Sequence, residues 1–141
     1  MLTNGFLKEA NGRYVLFLDS DLEPVNATWL TAMVEQLSNP NVGVVGGRII
    51  SPDNKVESAG LVLFPNGSVQ SAFAGCPRDF RGANRQLQAV RNYSAVRPSC
   101  LLTRRQLLEP IALPGVTESL GLSRNRDVAR DNSECEAVAF C

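Results

Sequence analysis

No histidine occurs in this 141-residue chain, and its four cysteines (Cys76, Cys100, Cys135 and Cys141) include no C-x-x-C pair. A zinc site built from Cys and His therefore has no ligand set to draw on, and reduced, partly buried thiols are the expectation. Aromatic residues make up only 6% of the chain. With no stacked aromatics, Gly-rich RNA motif or zinc-finger spacing, nucleic acid is set aside as a partner. No apolar run approaches the roughly 20 residues needed to cross a bilayer. The opening "MLTNGFLKEANG" lacks the basic, apolar and small-residue regions of a secretory leader, so a cytoplasmic chain is expected. Neither an internal repeat nor a low-complexity segment appears.

Net charge is also zero, but the charges are unevenly placed. Residues 1–60 hold seven acids against four bases, whereas residues 78–105 carry seven arginines and one acid, Asp79. Two readings stand for this arginine-rich stretch. It is a solvated loop face, or it is a surface that meets a phosphate-bearing ligand or the anionic head groups of a membrane.

The chain is long enough to bury a core, and 44% of it is hydrophobic. Residues 2–10 read as the end of a helix stopped by Asn11-Gly12. Residues 14–18, YVLFL, form a continuous apolar run that suits a strand covered on both faces, as in a parallel sheet. Asn26 is placed to cap a helix whose apolar positions, Trp29, Met33 and Leu37, recur at helical spacing. Asn39-Pro40-Asn41 ends it. VGVVGGRII (42–50) reads as one buried strand and SPDN (51–54) as a turn. Residues 56–72 read as a β-hairpin with Asn66-Gly67 at its tip. Residues 74–88 read as a loop, followed by a strand through 100–102 and a short helix. This order predicts an α/β fold with a mixed sheet flanked by helices. From about residue 112 to 141 the text is polar and without period, and a poorly ordered tail outside the core is expected there.

One stretch carries chemistry. In GRYVLFLDSDLEP (12–24) the buried run ends in Asp19-Ser20-Asp21. Ligands of open α/β sheets bind at the carboxyl ends of strands. Successive residues of an extended strand point to opposite faces, so Asp19 and Asp21 are expected to point the same way. Two adjacent carboxylates repel one another unless a cation neutralises them. Mg²⁺ or Mn²⁺ does so, taking one or two carboxylates together with substrate phosphate oxygens. Two enzyme classes end a strand in this way. Haloacid-dehalogenase-like phosphotransferases need a Gly or Thr near the second Asp, a later lysine and a further acidic pair. Here Leu22-Glu23-Pro24 follows, and the last lysine is Lys55. The other class is the nucleotide-sugar glycosyltransferases, in which the metal holds the departing diphosphate.

Asn4, residues 10–14, Asp19 and Asp21, Trp29-Leu30, residues 40–46 and residues 52–60 stand in the order and spacing of a known pattern. It runs A-x-G-x-Y, L-D-x-D, W-L, P-x-V-G-x-V-G and P-D-G-x-(V/I)-(Q/E)-x-A-G. In these features residues 1–111 resemble the central part of bacterial family 2 glycosyltransferases of the GT-A, Rossmann-like fold. Residues 90–109 further resemble the rhamnosyltransferase-like members. The resemblance implies a partial GT-A domain, followed by a divergent segment at 112–141. It implies inverting, metal-assisted transfer from a nucleoside-diphosphate sugar to a glycan, lipid-linked or protein acceptor. It places Asn4, Asp19 and Asp21 at the nucleotide sugar, with Asp19 and Asp21 holding Mg²⁺ or Mn²⁺.

The family continues with G-G-(F/L)-D-E and then an acidic (E/N)-D-x-D motif that supplies the general base. Here Gly115, Val116, Thr117 and Glu118 stand for the first motif, with Thr in place of Asp. Residues 125–128, NRDV, resemble the second with one residue displaced, which makes Asp127 the candidate base. The family's first nucleotide-binding strands are not represented, so the chain reads as a fragment. Exposed sheet edges would then favour self-association, and the cytoplasmic face of a membrane is a second expected setting. Two alternatives remain at this level: a non-catalytic GT-A remnant or binding module, and a dehalogenase-like phosphotransferase.

Overall fold

The structure is a computed structural model that describes residues 11–108 and the backbone of 133–136. The apolar run after Gly12 is strand β1 (Tyr14–Leu18), and the short β2 (Leu22–Pro24) follows directly. Helix α1 (Trp29–Leu37) buries Met33 and Leu37, which lie one turn apart on the same face. β3 (Val44–Gly46), β4 (Arg48–Ile50), β5 (Val56–Ser58), β6 (Leu61–Leu63) and β7 (Val69–Ser71) come next. A 3-10 segment (Ala83–Gln88) leads to β8 (Cys100–Arg104) and the single-turn helix α2 (Arg105–Leu108). β9 (Ser133–Glu136) completes the described chain.

These strands form three sheets. One is three-stranded in the order β1-β8-β3, a second is four-stranded in the order β2-β9-β4-β5, and the third is the pair β6-β7. β8 runs antiparallel to both its neighbours, so β1 and β3 point the same way. The second sheet is mixed, because β9 is parallel to β2 and antiparallel to β4. The α/β class with a mixed sheet is therefore as expected. β9 arises within 112–141, the segment expected to be a tail; the rest of that segment lies outside the described residues.

Two cores fill the interior. Met33, Leu37, Val42, Val45, Cys100 and Leu102 pack between α1 and the first sheet, with Trp29 and Tyr14 at the edge. Ile50, Val56, Ala59 and Leu87 form the second, flanked by Phe73, Tyr93 and Val96. Trp29 is thus a packing residue. Gly46 lies against Val96, whose Cβ is 2.8 Å from where a Cβ on Gly46 would stand, so this glycine allows close packing.

Several expectations need correction. β1 is half-buried and paired antiparallel, and among the described residues it forms the edge of its sheet rather than the middle of a parallel one. VGVVGGRII is two strands in two sheets, because at Gly47 the chain donates its N–H to Cys100 O (3.1 Å) and changes sheet. Within the expected hairpin, 56–58 pairs with β4, and only β6 and β7 form the hairpin. Asn26 does not cap α1. Its Oδ1 accepts from the Thr28 N–H and hydroxyl (both 3.1 Å), and Thr28 takes the cap position. The Asn26 side chain satisfies a local turn before it can reach the helix.

Neither Cys76 nor Cys100 takes part in a disulfide. Among the described residues no helix is long and apolar enough to cross a membrane.

Candidate functional site

β1 ends at Leu18, and the chain then turns. The Leu22 N–H donates to Asp19 O at 3.3 Å, which closes a β-turn over residues 19–22 and aims the chain into β2. Asp19 is the first corner of that turn and Asp21 the third. Strand alternation therefore does not govern their directions; the turn does. Asp19, Ser20 and Asp21 are all exposed.

What fixes this turn is main chain. The Asp19 N–H donates to Ser99 O at 2.9 Å, and the next carbonyl, that of Cys100, accepts the Gly47 N–H. Two adjacent peptides at the start of β8 thus hold both places where the chain leaves the first sheet for the second: β1 to β2 at Asp19, and β3 to β4 at Gly47. β1 and β3 both present their carboxyl ends along this seam. The aspartates accordingly stand at the end of the sheet where ligands of α/β folds bind. The Ser99–Cys100 contribution had no sequence signal, because it is made by carbonyls that any residue supplies.

Among the described residues no group of three or more His, Cys, Asp or Glu side chains is gathered to hold a metal by protein atoms alone. An exposed pair of carboxylates suits a different kind of site. Mg²⁺ and Mn²⁺ are hard ions that accept one or two carboxylates and take the rest of their shell from water and phosphate. The donor set at Asp19 and Asp21 fits that demand. Asn4 and Asp127 lie outside the described residues.

The arginine-rich stretch divides in two. Arg97 pairs with Glu57. The Arg104 guanidinium donates to Leu37 O and, at 2.7 Å, to Asn39 O, closing the carboxyl end of α1. Arg78 and Arg105 are engaged as well. Arg81, Arg85 and Arg91 are exposed, and among the described residues no ion pair engages them.

A groove of about 310 Å³ lies at the base of the β6–β7 hairpin, lined by Val62, Ala72, Phe73, Gln86, Arg91, Asn92 and Tyr93. Burial pushes the Tyr93 phenol above its ordinary range, and Arg91 beside it opposes the shift. Elsewhere, the exposed Asp53 carboxyl is held below its ordinary value by hydrogen bonds from Lys55 and Ser51, an arrangement that stabilises the SPDN turn.

The family model described as glycosyl transferase family 2 matches residues 3–111. The chain is 31% identical over 111 residues to the O-antigen biosynthesis protein RfbC of Myxococcus xanthus, covering 78% of this chain and 9% of that protein. It is 30% identical over 118 residues to the uncharacterized protein y4gI of Sinorhizobium fredii, covering 84% of this chain and 13% of that one. The chain thus spans about a tenth of the length of these curated relatives. No solved structure matches.

Proposed function

The chain belongs to glycosyl transferase family 2, and from that premise we propose that the turn over residues 19–22 is the diphosphate end of a nucleotide-sugar site. The GT-A fold that goes with the family is present in part. The observation that carries the reading is the position of Asp19 and Asp21: exposed, on a main-chain-fixed turn, at the carboxyl end of β1. Asp19 and Asp21 would hold Mg²⁺ or Mn²⁺. When bound, the ion supplies positive charge against the departing nucleoside diphosphate.

The rest falls to protein groups. The turn presents its two carboxylates with little reorganisation, because its backbone is already hydrogen-bonded to β8. Asn4 is assigned to the nucleotide. Asp127 is assigned as the base that takes the proton from the acceptor hydroxyl as that oxygen bonds to the anomeric carbon. The bond from that carbon to the diphosphate breaks on the opposite side, which inverts the configuration. The donor is a nucleoside-diphosphate sugar. The acceptor is a glycan, free, lipid-linked or carried on protein. The similarity to an O-antigen biosynthesis protein supports a polysaccharide as the destination.

The experiment is a thermal melt of the chain with Mn²⁺ and UDP, GDP or dTDP in turn. A rise in melting temperature with one diphosphate, requiring Mn²⁺ and lost in Asp21→Ala, is expected. A melt unmoved by all three pairs would overturn the assignment of the turn, whatever the family.

A further inference from the structure

We propose that the β6–β7 hairpin and the arginines beside it form a surface that docks on a bilayer containing anionic lipid. Residues 58–77 are 20 consecutive residues without a charge, and the next residue is an arginine. Within them β6 and β7 form a two-stranded sheet of their own, with an antiparallel bridge from Leu61 to Ala95 at its base. Its cross-strand partners Leu63 and Val69 are each 52% exposed, and Phe64 beside them is 41% exposed. Residues opposite one another on an antiparallel ladder share a face, so Leu63 and Val69 form one apolar surface at the hairpin's end.

The base of the hairpin is fixed while its tip is not covered. The Leu61 N–H donates to Ala95 O at 2.9 Å, and the Tyr93 ring packs on Gly60. The base also meets the basic stretch. Arg91 lines the groove against Val62 and Ala72, and Phe80 contacts Phe73 with ring centroids 6.4 Å apart. In that stretch exposed apolar and cationic residues adjoin, as Phe80-Arg81 and Val90-Arg91.

Charge selects the occupant. Arg81, Arg85 and Arg91 are exposed cations with no ion pair among the described residues, and Asp79 is the only acid between residues 58 and 108. A two-fold contact between copies would bring the same arginines toward one another. A membrane surface satisfies both halves. Apolar side chains enter the boundary between head groups and acyl chains, while guanidinium groups meet lipid phosphates. The proposal stands independently of what the Asp19–Asp21 turn binds.

The test is flotation of the full chain with vesicles of phosphatidylcholine alone or mixed with phosphatidylglycerol. Binding to the mixed vesicles is expected, with about tenfold or greater loss in Leu63→Asn/Val69→Asn. A Phe64→Trp variant should shift its emission to the blue on the same vesicles and be quenched by lipids brominated in their acyl chains. Thermal melts of each variant establish that it is folded, and the Phe64→Trp signal reads insertion without removing apolar surface. Absence of flotation with the mixed vesicles, or equal flotation with phosphatidylcholine alone, would overturn the proposal. So would flotation with no blue shift, or a dimer in sedimentation that the Leu63→Asn/Val69→Asn pair dissolves.

Discussion

Gly60 sits at φ +110°, and a Cβ placed on it would lie 2.6 Å from Cγ of the Tyr93 ring. Two separate costs therefore attach to any side chain here: the backbone conformation and the overlap with a half-buried aromatic. Gly60→Ala is expected to destabilise the protein by about 2–4 kcal/mol, read as a lower urea midpoint. Gly67 is the control. It has φ +81° with nothing within 4 Å of the added atom, so Gly67→Ala should lose only the conformational part, about 1 kcal/mol. A loss at Gly60 no larger than that at Gly67 would mean the Tyr93 contact carries no weight. At this scale the sequence was readable where a residue's role is local. Asn66-Gly67 marked a hairpin tip, and Asp19 and Asp21 marked the end of a strand. Gly60 was not readable, since what makes it necessary is a ring that arrives from a distant part of the chain.

Among the elements, α1 shows how a helix end is closed from outside. Its last carbonyls have no partner within the helix, and the Arg104 guanidinium, carried on β8, reaches Leu37 O and Asn39 O. The cation also opposes the negative end of the helix dipole. Arg104→Met keeps an unbranched apolar stem and removes both bonds. It should lower stability by about 1–3 kcal/mol in urea unfolding, and a neutral result would show that water replaces the arginine without loss. The elements themselves were legible to different degrees. The core face of α1 followed from the spacing of Trp29, Met33 and Leu37, because helical periodicity is written locally. The division of VGVVGGRII into β3 and β4 did not, because the Gly47 N–H finds its partner on Cys100, a contact no local pattern encodes. β9 is the extreme case: SECE has neither apolar alternation nor β-branched residues, yet it lies between β2 and β4.

For the molecule as a whole, the separation of cores from the aspartate turn makes stability and binding separable. Leu37 is buried in the first core, and Leu37→Ala should cost about 2–5 kcal/mol while leaving the melting shift produced by Mn²⁺ and nucleoside diphosphate in place. Asp21→Ala should do the reverse, removing the shift with stability nearly unchanged, since Asp21 is exposed on a turn. Parallel melts of the two variants, with and without ligand, check both. If Leu37→Ala also lost the shift in a folded protein, the turn would depend on the core more than its hydrogen bonds indicate.

The paired carbonyls of Ser99 and Cys100 have one more implication. Among the described residues the bonds that hold the aspartate turn run between peptide groups, and the side chains at residues 19–21 contribute none of them. Those three residues behave as interchangeable fittings on a fixed mount. Their chemistry can be rewritten without redrawing the scaffold beneath them.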